Sequence, residues 1–296
     1  MRAPGLAVLL VIAAPASRAA ETASFLNVGV GARALSMGAA YTAVGDDAHA
    51  ICWNPAGLAA LEKREVGVSH AELGQNTRHD FIAYAHPTSQ GTLAGALTYL
   101  SQGALSGRDS QGRPTGNFNA SDAAVSLGYG RKSELADFGA AVKYLRSNIT
   151  STEAQTVAVD LGARKAMGAL LFGGALRNLG PGLKYDAERN DLPLRLALGA
   201  AYKLPGDHLL AAEFTNGPRG AGSDFGFGGE YLAIKDIFLR AGYTTQTTIV
   251  GGSGFDAARG LTLGLGLRKE KWGLDYAAVP MGELGNTHRF TLSARW

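Results

Sequence analysis

Cysteine is nearly absent. Cys52 stands alone among 296 residues, so no disulfide can form within the chain, and zinc clusters of paired thiolates are excluded. Charge is sparse too: Lys, Arg, Asp and Glu make up 18% of the chain, 28 cations interleaved with 25 anions. Neither a basic run that would hold nucleic acid nor an acidic tail is present. The histidines, His49, His70, His79, His86, His208 and His288, lack the His-x-x-x-His spacing of a metal site, and no cofactor is expected. His79-Asp80, near the first predicted outer loop, is the one local arrangement that hints at hydrolase chemistry. It reads as a solvated loop pair, and the chain is not expected to be an enzyme. Gly251-Gly252-Ser253-Gly254 lacks the Lys-Ser/Thr of a phosphate-cradling loop and reads as a flexible outer loop.

Long apolar runs are missing after the amino-terminus: Gly or a charge breaks each within a few residues. No membrane helix can form from such runs, so a membrane protein with this sequence must be a closed barrel, which satisfies its backbone between strands. The amino-terminus itself has Arg2, an apolar run over 6–14, and small residues at Ser17 and Ala19. That is a secretory signal, and residues 1–19 are expected to be removed by cleavage after Ala19 or Ala20.

What is abundant is alternation. At the end of the chain His288, Phe290, Leu292, Ala294 and Trp296 fall on one side of an extended strand. Thr287, Arg289, Thr291, Ser293 and Arg295 fall on the other. A soluble sandwich could end this way; so could an outer-membrane barrel, in which Phe290 and the terminal Trp296 would be the signal read by the assembly machinery. Earlier runs repeat the pattern, among them Leu93, Leu97 and Tyr99; Val125, Leu127 and Tyr129; and Leu261, Leu263, Leu265 and Leu267. Between the apolar residues lie Gly, Ala, Ser and Thr with scattered charges such as Lys143, Asp160, Arg177, Arg195, Lys203, Glu230, Arg240 and Asp275. A soluble fold would turn its oily face inward. Here a small, charged face would line a lumen, and 41 glycines would let an internal segment approach it.

Runs and turns together give about 14 strands, an even number as bacterial barrels require. Tight inner turns are predicted at 87–91, 131–134, 166–168, 204–207, 233–236 and 269–271. The long stretches 102–120, 179–192 and 245–258 all fall at the other end. That parity selects an all-β, 14-stranded antiparallel transmembrane β-barrel over residues 65–296.

Residues 20–64 do not read as membrane strands. They carry Gly31-Ala32-Arg33-Ala34-Leu35-Ser36-Met37-Gly38, then Asp46-Asp47-Ala48, then Trp53-Asn54-Pro55-Ala56-Gly57-Leu58-Ala59. In combination these resemble the amino-terminal signature of the outer-membrane transporter superfamily that includes the fatty-acid channel FadL, and more closely its PorV/PorQ branch. The resemblance implies a 14-stranded barrel with the 20–64 segment folded inside as a plug, or hatch. The residue chemistry is compatible. Gly29, Gly31 and Gly38 permit positive φ. Asp46 or Asp47 can cap a short helix over 47–52. Asn54-Pro55 starts a turn, and Arg33 needs an acidic lumen partner. Cys52 reads as a small buried hydrophobe. Whether Gly31, Arg33, Gly38, Asp46, Asp47, Trp53, Asn54, Pro55 and Ala56 gate the barrel or only fold the plug is left open by the sequence.

The resemblance implies two functions for a protein of the outer membrane of a diderm bacterium. One is a plugged channel for passive uptake of small hydrophobic compounds such as fatty acids. The other is a type IX secretion-associated barrel that binds or shuttles secreted proteins. Expected partners are outer-membrane lipid, the barrel assembly machinery, and either a hydrophobic ligand or a protein cargo, with no nucleic acid. Apolar candidates on the outer loops are modest: Leu105 and Phe118, or Ile249, Val250 and Phe255.

Overall fold

The computed structural model describes residues 22–74, 76–150, 152–185, 188–219, 222–246, 260–280 and 286–296. The predicted signal segment, the 251–254 glycine run, and Ile249, Val250 and Phe255 lie outside them.

Alternation with a period of two produces strands, and the strands close on themselves. In chain order they are β1 (Glu65–Glu72), β2 (Thr77–Thr88), β3 (Gly91–Arg108), β4 (Pro114–Arg131), β5 (Asp137–Ile149), β6 (Thr152–Met167) and β7 (Leu170–Leu179). A small hairpin, β8 (Leu183–Tyr185) with β9 (Glu188–Asn190), stands apart from the wall. The wall resumes with β10 (Arg195–Leu204), β11 (His208–Gly217), β12 (Gly222–Ile234), β13 (Ile237–Thr244), β14 (Leu261–Lys269), β15 (Trp272–Pro280) and β16 (Asn286–Arg295). Fourteen of these form one closed antiparallel barrel, sealed where β16 pairs with β1 in the register Val68↔Leu292. Closure leaves no strand edge, so every ladder group has a partner without water.

The two faces differ as the alternation demands. On β14, Leu263 is 51% exposed while its neighbour Thr262 is 1% exposed. The outward rows are Leu, Val, Phe and Tyr; the buried face is Gly, Ala, Ser and Thr with ionised side chains. A wall with its leucines outside and its arginines inside is stable only where the outside is hydrocarbon. Some apolar residues of the outward rows are only half exposed: Val159, Leu176, Leu194, Ile237, Tyr243 and Tyr276. Ala294 is 5% exposed, because its methyl is short and it stands directly opposite Trp272. Lys203, predicted for the lumen, is exposed beside the tight turn that follows β10.

All six predicted inner turns join consecutive strands at one end of the barrel. The opposite end departs from the sequence reading in two places. The stretch 102–120 is not a loop: β3 and β4 run on as a ribbon with the register Leu105↔Phe118, turning over 109–113. Above the hydrocarbon both faces are wet, so pairing continues without any alternation to mark it. The stretch 179–192 holds the β8–β9 hairpin, and its Leu183 and Leu192 are fully buried.

Residues 22–61 lie within the barrel. Thr22 is tied to the outer end by its N–H, which donates to the Asp191 carbonyl at 3.1 Å. The chain then forms a 3-10 turn (Ser24–Asn27), helix α1 (Ala32–Ser36), helix α2 (Ala50–Trp53) and a second 3-10 turn (Pro55–Ala60). It leaves at the inner end, where Arg64 and Trp296 exchange backbone hydrogen bonds of 3.1 and 3.0 Å. The wall admits it through missing side chains. A Cβ at Gly139 would overlap the Pro55–Ala56 backbone, and one at Gly228 would overlap Met37. Two apolar layers result. Phe25, Val28, Leu100, Leu145, Leu183 and Leu192 close the outer end, and Met37, Tyr41, Ile51, Trp53 and Leu58 fill the middle.

Candidate functional site

The inner segment is held by charge on one side and by backbone bonds on the other. Arg33, carried on α1, meets Glu230 of β12 in a two-pronged pair, Nε–Oε2 at 2.8 Å and Nη2–Oε1 at 2.9 Å. This is the acidic lumen partner the sequence calls for. The planar fork of Arg suits a bidentate carboxylate, which fixes orientation as well as charge. Its Nη1 also donates to Asp46 at 2.5 Å and to the Tyr41 hydroxyl at 3.2 Å. Glu230 accepts in turn from Arg240 Nε at 2.6 Å. Arg240 donates to Asp275 at 2.7 Å, and Arg268 reaches the other Asp275 oxygen at 2.8 Å. A chain of alternating charges thus runs from the inner segment into the wall.

Asp47 is the second anchor. It accepts from the Tyr41 hydroxyl at 2.6 Å and from the His49 N–H at 3.0 Å. The predicted cap is half met. Helix α2 starts only at Ala50 and its own N-cap, His49, makes no side-chain cap bond; the Asp47 carboxylate accepts from the His49 backbone N–H in the turn that leads into it, while Asp46 is drawn to the Arg33 guanidinium. His49 Nε2 lies 2.9 Å from Ser69 Oγ, which lies 2.8 Å from Thr291 Oγ1. Burial alone would raise the Asp47 carboxyl and lower the His49 imidazole. The interaction between them wins, holding Asp47 far below the usual carboxylate range and His49 above its ordinary value. Likewise Asp46 and Glu230 outweigh burial and hold the Arg33 guanidinium above its usual value, while burial lifts the Tyr41 phenol.

On the other side Asn54 is extended, as the residue before a proline must be. Its Oδ1 accepts from the Ala56 N–H at 3.1 Å, and its Nδ2 donates to the carbonyls of Thr42 at 2.7 Å and Ala163 at 3.1 Å. Trp53 Nε1 donates to Val30 O at 3.0 Å, and its ring meets Tyr41 edge-on at 6.1 Å. Pro55 opens the second 3-10 turn, and Ala56 is fully buried. Gly31 and Gly38 have φ of 83° and 64°. A Cβ on Gly38 would strike the carbonyls of Phe227 and Tyr243. All nine motif residues therefore belong to the inner segment, and Tyr41 joins three of them, Arg33, Asp47 and Trp53.

Several partners escaped the sequence reading. Glu213 of β11 accepts from the N–H groups of Tyr41 and Thr42, both at 2.8 Å. Thr291 accepts from Ala32 N at 2.9 Å, Thr262 from Gly38 N at 3.1 Å, and Arg164 Nε donates to Ala43 O at 2.9 Å. Glu213 shares the inward register of Ala211, so the alternation of β11 was the available signal.

Between the two apolar layers lies a cleft of about 60 Å³, open at its mouth and lined among others by Trp53, Lys143, Arg177, Arg195, Glu213 and Asp224. Lys143 is paired with Asp160 at 2.6 Å and donates to Asn178 Oδ1 at 2.9 Å. Arg177 stands over the Trp53 ring at 5.4 Å, 4.0 Å from Glu213, and its buried Nε makes no hydrogen bond. A cleft with fixed charges beneath an apolar ceiling can receive a molecule with one polar and one oily end.

Cys52 also faces this cleft, half-buried rather than fully buried, with its thiol pushed up to about 11 by burial. At pH 8 the thiolate is then scarce, and alkylation in the folded barrel should run about a hundredfold slower than for a free cysteine. Iodoacetamide labelling followed by intact mass measures it; labelling at the free-cysteine rate would contradict this environment.

His79 and Asp80 are not a dyad. Both lie within β2 rather than in a loop, so they face opposite ways. His79 is buried in the lumen, and Asp80 pairs outside with His70 at 2.6 Å. Among the described residues no cluster of His, Cys, Asp and Glu could hold a metal ion.

A closed fourteen-stranded barrel with lipid-facing leucines and a filled, charged lumen is an outer-membrane β-barrel protein. Residues 13–210 match the family described as "Type IX secretion system protein PorV", and the chain belongs to that family. Solved structures of the same fold include the toluene transporter TodX of Pseudomonas putida, 12% identical, covering 94% of this chain and 98% of TodX with a TM-score of 0.66. The toluene transporter TbuX of Ralstonia pickettii is 14% identical, with coverage of 90% and 98% and a TM-score of 0.63. A FadL homologue of Pseudomonas aeruginosa is 14% identical, with coverage of 87% and 95% and a TM-score of 0.57. No curated protein matches the sequence.

Proposed function

We propose that this protein is a plugged channel for passive uptake of small hydrophobic compounds, fatty acids in particular, across the outer membrane. The observation that carries the reading is the charge-lined cleft between the outer apolar layer and the inner segment. Its charges favour an oily molecule with one polar end over a neutral hydrocarbon, and Arg177, whose buried Nε makes no hydrogen bond, is the group that would meet a carboxylate. In this reading a signal peptide, residues 1–19, is cleaved on export; residues 20–64 form the plug and residues 65–296 the pore wall. Movement about Asn54-Pro55-Ala56 opens the path, with Arg33, Asp46, Asp47, Trp53 and the glycines Gly31 and Gly38 holding it shut. Phe290 and Trp296 serve as the signal for the barrel assembly machinery. The toluene transporters with this fold support a hydrophobic cargo by analogy only. Uptake of labelled oleate by a deletion strain should fall, and the restored gene should recover it. Unchanged uptake across several fatty acids and aromatic hydrocarbons would overturn the reading.

The family match favours a second reading, a barrel that binds or shuttles proteins exported by a type IX system. The β3–β4 ribbon supports it by adding surface beyond the membrane. Affinity capture of an exported protein on the intact barrel, lost when 102–120 is shortened, would replace uptake as the function.

A further inference from the structure

We propose that the inner rim of the barrel is a binding surface for anionic phospholipid headgroups of the periplasmic leaflet. The tight turns and both ends of the barrel wall lie at this rim, which places it at the periplasm. Three cations occupy the outward register there. Arg131 is the last residue of β4, Lys269 the last of β14, and Lys165 lies two residues before the end of β6. Each stands across the ladder from an aromatic ring on the neighbouring strand: Arg131↔Phe138, Lys165↔Phe172 and Lys269↔Trp272. Lys271 adds a fourth cation, 5.5 Å from the centre of the Trp272 ring.

All three outward cations are exposed, and among the described residues none has a carboxylate partner. Arg295, at the same rim but on the lumen register, is paired with Glu65 at 3.0 Å, and at the opposite end Arg146 is paired with Glu153 at 2.7 Å, Arg113 with Asp109 at 2.8 Å and His70 with Asp80 at 2.6 Å. Aromatic rings mark the depth where hydrocarbon gives way to headgroups, so a cation beside each ring sits at phosphate level. Long Lys and Arg stems reach that level while their methylenes stay in the apolar zone. A zwitterionic headgroup brings its own ammonium and gains little from another cation. A headgroup whose phosphate lacks such a counter-charge, as in phosphatidylglycerol, gains most.

The test is made on the whole protein in nanodiscs of equal parts phosphatidylglycerol and phosphatidylcholine, with retained lipid counted by native mass spectrometry. The barrel should retain the anionic lipid in preference, by about fivefold for each cation engaged, with the preference shrinking as salt rises. The variant combining Arg131→Gln, Lys165→Gln and Lys269→Gln should lose it while keeping heat-modifiable mobility. The charge-keeping set Arg131→Lys, Lys165→Arg and Lys269→Arg should retain it. Equal retention of the two lipids by the unaltered barrel overturns the proposal, and needs no variant to fold. So does undiminished preference in the glutamine variant, or capture of a periplasmic protein at the rim without lipid preference.

Discussion

Replacing Glu230 by Ala should cost the folded protein about 3–5 kcal/mol, because it removes one member of a buried ion pair and leaves the others in place. Glu230 is 7% exposed and carries two guanidinium groups at once, Arg33 from the inner segment and Arg240 from the wall. Without it the two cations face each other across the vacated space. Arg33 keeps Asp46, and Arg240 keeps Asp275, so the lower end of that range is the better expectation. The wall ladders are untouched, and the loss should appear first as release of the inner segment. The temperature at which the compact band disappears in a gel-shift assay should fall, and protease should reach residues 22–61 in the variant alone. Glu230→Gln, which keeps the shape and one acceptor, should cost less. Replacing Arg33 and Glu230 together by Met removes both charges, and should recover much of the loss if electrostatics dominates. A Glu230→Ala protein that melts with the wild type, within about 0.5 kcal/mol as for an ordinary surface change, would show that the charge chain is not what holds the segment.

Lipid made the barrel legible. It forces strict alternation, so Leu261, Leu263, Leu265 and Leu267 announce both a strand and its face, and the turns between such rows fall where the alternation stops. Beyond the hydrocarbon that constraint ends. The upper parts of β3 and β4 therefore looked like loop, and the buried leucines of the β8–β9 connection looked like ordinary loop residues. The inner segment was legible where its geometry is local: the positive φ at Gly31 and Gly38, and the extended Asn54 before Pro55. Its partners were not. The Thr42 N–H finds Glu213 across 171 residues of sequence, and only the register accumulated around the barrel fixes that meeting. The choice between the two candidate caps has the same origin. Locally Asp46 and Asp47 are equally good capping residues, but a guanidinium 13 residues away claims Asp46, and the His49 N–H is left to Asp47.

Deleting residues 22–61 should convert a nearly silent barrel into an open pore, with ion conductance in planar bilayers rising by at least about tenfold. The wall does not need the segment for its own backbone bonds, since the fourteen strands close on one another through continuous ladders. What the segment supplies is filling, and the glycines that receive it would then face water. Glu213, Glu230 and Arg164 lose their inner partners, but a flooded lumen hydrates them. The outer apolar layer also loses Phe25 and Val28, which sit among Leu145, Leu183 and Leu192. With that layer thinned, the connection carrying β8 and β9 has little left to rest on at the mouth. Asn54→Ala in the full chain should give a fraction of the same effect. It frees the carbonyls of Thr42 and Ala163 and unfastens the second 3-10 turn without removing bulk. If the deleted barrel folds and stays silent, the β8–β9 connection closes the mouth by itself, and the inner segment is a structural filler rather than the gate. If the intact chain already conducts at the level of the deletion, the cleft is open to both sides and no plug exists to be moved.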